Sequence, residues 1–408
     1  MNKLALLGGV PVRKKKFKHS TIIGIQEKKS VIRLLNKGKL SGFFENFLGG
    51  PEVRKFEKKW SEYFKCKYAV AVNSGTSAQH IALASCGITK GDEVIVTALS
   101  FTSTVSTILT NNAKPVFCDI DETTFNIDVN KIEKLITKKT KAIVPVHLYG
   151  VPANMDRIMK IAKKYRLKVI EDTCQSPGSK FKKNFVGTIG NLGTFSTVET
   201  KNISTGEGGV IVSNDKNLIN KCRLVRNHGE SYLLGQTRSY LPDIIGYNLR
   251  PTEIQAAIGT EQLKKLNKFN VIRNILGNYV IKNLRFFKGI KVPISKQKNS
   301  FIVHHLICLQ YNERETGVSK KRYMEALEKE GIKVSNGYPY TLYAIYYGYK
   351  KKGVSYKKGL CPVAEKVIKR SIWINQLRPP NTLNDAKDMV KAFKKVDLNL
   401  KYLRDLDI

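Results

Sequence analysis

Four kinds of residue in this chain could do chemistry on a carbonyl if the fold brought them together: a lysine, a carboxylate, a run of small polar residues and an aromatic ring. Lys201 lies in Thr194-Phe-Ser-Thr-Val-Glu-Thr-Lys-Asn-Ile-Ser-Thr-Gly-Glu-Gly-Gly-Val210. The glycines behind it permit a tight turn into Val210-Ile-Val212, so the scaffold positions the amine. Asp172 closes Lys168-Val-Ile-Glu-Asp172, Ser74 to Ser77 fall within Asn73-Ser-Gly-Thr-Ser-Ala78, and Phe101 follows Ser100. Each also has an ordinary structural use, as surface charge, turn or cap residue, helix start and core aromatic respectively.

Together they match one cofactor. Pyridoxal phosphate needs a lysine to form a Schiff base with its aldehyde and a carboxylate to keep its ring nitrogen protonated. Its phosphate needs backbone amides and hydroxyls, which a strand, a small polar turn and a helix start supply. Its ring needs an aromatic face.

The elements that must position these residues show in the apolar spacing. Ile22 to Leu40 and Pro51 to Phe64 have helical periods, and Lys67-Tyr-Ala-Val-Ala-Val72 reads as a buried strand. A helix from the Ser74 turn to Cys86, a strand at Glu93 to Thr97, a helix at Ser103 to Asn111 and a strand at Pro115 to Asp119 follow. Strands at Ala142 to His147 and Lys168 to Asp172 flank a helix carrying Met155, Ile158, Met159 and Ala162. Such a rhythm implies a doubly wound sheet whose ligands bind beyond the carboxyl ends of the strands. Ser74 to Ser77, Phe101, His147 and Asp172 would collect along that edge. Thr252 and Gln255 have the spacing of a capping box that opens a long helix. Beyond it the spacing predicts a strand at Phe301 to Cys308, a helix from Ser319 to Gly331 and a last helix with Met389, Phe393 and Val396 inward. The expected division is an N-terminal arm (1–40), a large α/β domain (41–259) and a smaller α+β domain (260–408).

Composition excludes several classes. The 408 residues are 42% hydrophobic, enough for sizeable cores. No apolar run reaches the length of a membrane helix, and Leu4 to Leu7 is too short for a secretory signal, so a soluble cytoplasmic protein is expected. Seven cysteines occur singly with no Cys-x-x-Cys pair, which argues against a disulfide framework or zinc site. The net charge of +38 would attract polyanions. Its lysines, as at Lys14 to Lys16, Lys163-Lys164, Lys264-Lys265 and Lys350 to Lys352, are scattered without a nucleic-acid motif.

In its order of blocks the chain resembles the DegT-type sugar aminotransferases, pyridoxal phosphate enzymes of fold type I. The similar blocks include Leu4 to Arg13, Asn73 to Ala78, Gly91 to Val96, Pro115 to Asp121, Pro145 to Gly150, Ile170 to Gln175, Lys201 to Gly209 and Gly246-Tyr-Asn-Leu-Arg250. The resemblance implies a large three-layer α/β/α domain and a smaller C-terminal α+β domain. It also implies that Lys201 forms the Schiff base and that Asp172 faces the ring nitrogen. Gln175 would lie near the ring hydroxyl, Phe101 would stack on the ring, and Gly75, Thr76, Ser77 and Ser196 would bind phosphate. Asn248 would reach the phosphate from the second subunit of a homodimer. The implied reaction moves an amino group from glutamate or glutamine to a keto-sugar or keto-cyclitol, with Lys201 as the base.

Relatives that dehydrate sugars carry histidine in place of this lysine, so Lys201 points away from a dehydratase. A polyanion-binding regulatory protein on the same fold is the alternative of another class. At the acceptor end, Gly337-Tyr-Pro-Tyr-Thr-Leu-Tyr343 lacks the two histidines common in sugar-nucleotide enzymes of the family, and Ser371-Ile-Trp-Ile-Asn-Gln376 is similar to the segment of keto-cyclitol enzymes. Tyr338, Tyr340 and Tyr343 are either acceptor contacts or lining. His147, Arg226 and His228 are either carboxylate or diphosphate contacts or structural residues. His304 and His305, on opposite faces of the expected strand, make no metal pair.

Overall fold

The computed structural model describes residues 3–18, 22–233, 235–237, 240–294, 299–345 and 358–404. The first part of the chain alternates as its spacing implies: α1 (Ile25–Lys37), α2 (Pro51–Phe64), β1 (Tyr68–Val72), α3 (Gly75–Ser85), β2 (Glu93–Thr97), α4 (Ser103–Thr110), β3 (Lys114–Cys118), the single turn α5 (Val129–Ile132), β4 (Thr140–Val144), α6 (Met155–Tyr165) and β5 (Lys168–Asp172). A hairpin of β6 (Lys180–Phe181) and β7 (Asn184–Phe185) leads to β8 (Leu192–Ser196), β9 (Gly209–Ser213) and α7 (Lys216–Arg226). The remainder comprises α8 (Glu253–Leu284), β10 (Ile290–Lys291), β11 (Ile307–Tyr311), α9 (Glu313–Thr316), α10 (Lys320–Lys329), β12 (Ser335–Asn336), α11 (Leu342–Ile345), α12 (Pro362–Arg370), β13 (Ser371–Ile374), α13 (Leu383–Leu398) and α14 (Leu400–Arg404).

Seven strands form one sheet in the order β1-β9-β8-β5-β4-β2-β3. From β8 to β3 the neighbours are parallel, and β9 runs antiparallel between β1 and β8. Because successive side chains alternate faces, Val94 and Val96 join a core with Ile81, Val105 and Ile219, while Ile95 joins Met155 and Ile158 of α6. Helices cover both faces of the sheet, and all five residues of β2 and of β9 are buried.

Helix α8 joins two cores. Its capping box is the one the spacing implies, with Thr252 Oγ1 accepting from the Gln255 amide at 3.2 Å and Gln255 Oε1 accepting from the Thr252 amide at 2.8 Å. At about 1.5 Å per residue its 32 residues carry Leu263 and Leu266 into the core beneath α2, then Leu276, Val280 and Leu284 into a second core. That second core is built on the antiparallel sheet β10-β11-β13-β12 with Tyr323, Met389, Phe393 and Val396. Residues 3–18 pack there too: Leu4 and Phe17 are buried in it, and Arg13 pairs with Asp385 at 2.6 Å and Asp388 at 2.8 Å. Helix α1 lies on α8.

The strand expected over Phe301 to Cys308 begins only at Ile307. Before it, side chains of α8 take the backbone carbonyls that a ladder would need: Asn274 Nδ2 donates to Ile302 at 2.8 Å, and Arg273 reaches His304 and His305. His304, with φ of 41°, turns the backbone out of the pleat. The two histidines therefore do not alternate on a strand. Lys350 to Lys352 lie outside the described residues. Among the described residues no helix is long and apolar enough to cross a membrane, and no cluster of His, Cys, Asp or Glu could hold a metal ion.

Candidate active site

The site begins at the end of β5, where two adjacent carboxylates point to opposite faces. Glu171 is wholly buried and accepts from His147 Nε2 at 2.9 Å and from the amides of Gly187, Ile189 and Gly190 at 2.8, 2.7 and 2.6 Å. The other nitrogen, His147 Nδ1, accepts from the Ala153 amide at 3.0 Å, so this tautomer donates through Nε2. His147 is thus a buried support for the strand end. With Glu171 pinned, Asp172 faces the other way. Its Oδ2 accepts from Thr104 Oγ1 at 3.0 Å, Thr104 accepts from Ser100 Oγ at 3.0 Å, and Oδ1 accepts from the Cys174 amide at 3.1 Å. An aspartate held by hydroxyl and amide donors is kept ready to face a cation.

Lys201 sits in the loop joining β8 to β9. The loop is tied to itself: Thr197 N donates to Gly208 O, Thr205 N to Thr197 O and Lys201 N to Val198 O, at 2.8, 2.8 and 2.9 Å. Gly208, at φ of 157°, is where the turn needs glycine, since a Cβ there would fall 2.4 Å from Thr197 Oγ1. Part of the Lys201 side chain remains open, but its amine is deep enough that burial pulls its pKa below the usual lysine value, against the opposing pull of Cys174 and Asp172. The structure therefore brings Lys201 and Asp172 into electrostatic reach of each other.

The polar turn is a helix N-terminus. Ser74 caps α3, its Oγ accepting from the Ser77 amide at 3.0 Å, while Ser77 Oγ donates to Asn73 Oδ1 at 2.6 Å. The amides of Gly75 and Thr76 open the helix and have no carbonyl within it to bond. Thr76 is exposed, and Gly75 is pressed against Ser196 so closely that a Cβ would lie 2.7 Å from Ser196 Cβ and 3.1 Å from Cys174 Sγ. Gly75, Ser77, Ser196 and the Asp172–Cys174 segment thus come together at one place.

Phe101, between Ser100 and Thr104, is 56% exposed, unusual for a phenylalanine beside a buried carboxylate. Gln175 is buried, its Oε1 accepting from the Tyr149 amide at 3.0 Å and its Nε2 donating to Tyr338 Oη at 3.1 Å. Tyr338 crosses Trp373 edge-on at 4.8 Å between centroids, and both rings contact Tyr149. Tyr343 is buried and donates to Glu365, while Tyr340 is exposed. Asn248 is exposed and accepts from Arg250 Nε at 2.8 Å; its neighbour Leu249 accepts from the Asn73 amide beside the α3 cap at 3.1 Å. Arg226 is fully buried, bonded to Glu57 at 2.6 Å and to Ala71 O at 2.9 Å, and so supports the core. His228 occupies a turn with φ of 59°.

Sequence reasoning passed over Thr104, Glu171 and Tyr149. Glu171 left one signal, a charge following the apolar pair Val169-Ile170 within a strand expected to be buried, which demands buried partners. The amine, the braced carboxylate, the helix amides opened by Gly75 and the uncovered ring together fit pyridoxal phosphate.

Comparison with known proteins agrees. Residues 25–394 match the model of the DegT/DnrJ/EryC1/StrS aminotransferase family. The chain is 43% identical over 235 residues to GDP-perosamine synthase of Escherichia coli O157:H7, covering 58% of this chain and 64% of that protein. It is 31% identical over 415 aligned positions to L-glutamine:2-deoxy-scyllo-inosose aminotransferase of Streptomyces lividus, covering 96% and 97%. The aminotransferase structure from Psychrobacter cryohalolentis superposes with a TM-score of 0.86 at 30% identity, covering 94% of this chain and all of the other. The chain belongs to the DegT/DnrJ/EryC1/StrS aminotransferase family.

Proposed function

We propose that this pyridoxal phosphate-dependent aminotransferase takes an amino group from glutamate or glutamine and delivers it to a keto-sugar, nucleotide-linked, or to a keto-cyclitol. The observation that carries the reading is a desolvated Lys201 beside a braced Asp172, next to a helix terminus opened by Gly75. Similarity to GDP-perosamine synthase supports a sugar acceptor, and similarity to the inosose enzyme a cyclitol.

When bound, pyridoxal phosphate supplies an electron sink that acidifies the bond next to the nitrogen. The α3 amides of Gly75 and Thr76, with Ser77 and Ser196, would hold its phosphate, and Phe101 would cover its ring face. Asp172 would face the ring nitrogen, and Gln175 would lie toward the ring hydroxyl. Lys201, made easier to deprotonate by burial, would hold the cofactor's carbonyl carbon and would act as the base that moves the α-proton. Tyr338 and Trp373 would contact the acceptor.

A second copy of the chain completes the assembly in this reading. Tyr240, Leu241, Ile245 and Tyr247 are exposed around Asn248, an apolar margin of the kind an interface covers, and Asn248 would serve the partner's phosphate site. None of the seven cysteines is placed to form a disulfide, which is in keeping with a cytoplasmic enzyme.

Mixing the purified protein with pyridoxal phosphate tests the proposal. A visible absorption band that Lys201→Ala abolishes, and that glutamate or glutamine bleaches, is the expected result; no band overturns it. Single-turnover assays of the aminated form against keto-sugar nucleotides and scyllo-inosose then select the acceptor.

A further inference from the structure

Lys201 also lines a small cavity of about 30 Å³, together with Glu199, Asn202, Arg273 and Arg378. Arg273 comes from α8 and is only 4% exposed. Its Nη1 reaches the carbonyls of His304 and His305 at a long 3.4 Å, and its Nε has no partner. Burial and the nearby charge of Arg378 push its pKa down to about 9, and no carboxylate opposes them. A buried cation kept without a counter-ion is costly. His305 adds a second unsatisfied group: its Nδ1 is buried without a partner, and the ring lies in electrostatic reach of Lys201, Arg273 and Arg378.

Positive charge outweighs negative charge around this cavity. Glu199 acts on Arg378, so two guanidinium groups face one carboxylate, leaving one positive charge before Lys201 is counted. About 30 Å³ is open to the centres of water-sized molecules, where a single water needs about 10–15 Å³, so the cavity has room for a small polar group. Planar guanidinium donors match a carboxylate's two oxygens.

We infer that Arg273 and Arg378 form the subsite that holds the α-carboxylate of the amino donor. This rests on the aminotransferase reading, because it is Lys201, on the same cavity, that would move the proton of the carbon one bond away from that carboxylate. The donor's carboxylate would neutralise the excess charge and occupy the unpartnered Arg273 Nε.

The test uses holoenzyme variants Arg378→Gln and Arg273→Lys, with L-glutamate as donor and acetate as a carboxylate probe. Losing one charge-assisted contact should raise the glutamate concentration that half-bleaches the cofactor band by about 10- to 100-fold, with cofactor affinity retained. Acetate should raise the melting temperature of the cofactor-free wild type and not that of Arg378→Gln. If Arg273→Lys does not fold, Arg378→Gln decides alone. Variants with a normal band and a wild-type glutamate dependence overturn the subsite and leave the aminotransferase standing; a wild type that forms no band overturns both.

Discussion

Replacing Gly75 by alanine is a sharp test of the cofactor cradle, because the structure determines even the sign of the effect. Gly75 opens α3 with ordinary helical backbone, so on an uncrowded helix the added methyl group would stabilise by about 0.4–1 kcal/mol through the unfolded chain. Here the new Cβ would fall 2.7 Å from Ser196 Cβ and 3.1 Å from Cys174 Sγ. Carbon atoms rest at about 3.5–4.0 Å, so α3 must back away from β8 by roughly 1 Å. Overpacking of that kind costs about 1–3 kcal/mol, leaving a net loss of about 1–2 kcal/mol. The larger consequence is for binding. The amides that would meet the phosphate move with the helix, and loosening one charge-assisted contact costs about 1.5–3 kcal/mol, roughly 10- to 100-fold in affinity. Cofactor titration by absorbance and thermal melting measure the two effects. The double variant Gly75→Ala/Ser196→Gly should regain stability beyond the sum of the single changes, with an interaction energy of about 1 kcal/mol. A Gly75→Ala protein that melts at or above the wild type and binds cofactor equally well would refute the close approach of α3 to β8.

Burial lowers the Lys201 pKa, so between its lowered folded value and 10.5 the unfolded chain holds the proton that the folded chain has lost, and stability of the cofactor-free protein rises with pH in that window; Lys201→Met should melt higher at neutral pH and lose this rise. Glu171→Gln places a donor against three amides and the His147 N–H, and calorimetry should show a loss of about 3–5 kcal/mol together with weakened cofactor binding. Burial and Arg273 hold His304 down to about 4, so stability is complete above pH 6.5 and falls by up to about 1.4 kcal/mol per pH unit as pH drops toward 4; melting curves of His304→Gln across that range should be flatter. Tyr338→Phe removes the hydroxyl that Gln175 Nε2 reaches, and stopped-flow amination should slow by about 10-fold at unchanged cofactor affinity.

Local pattern carried much of this protein. The β/α rhythm, the helix at 51–64, the strands at 93–97 and 168–172, the Thr252–Gln255 capping box and the Ser319 cap follow from apolar period and side-chain capping, which act within a few residues. That Lys201, Asp172 and Gly75 lie along one edge was legible because strand ends and glycine turns mark the edge of a doubly wound sheet. The packing of residues 3–18 against the C-terminal core, and the loss of the strand before Ile307 to the side chains of α8, depended on elements far apart in sequence. So did the use of Thr104 to hold Asp172, the absorption of Arg226 by Glu57, and the meeting of Arg273 and Arg378 at the Lys201 cavity. A lone arginine reads as surface charge in any sequence this basic; only the packing around it decides whether it is solvated, paired or left waiting for a ligand.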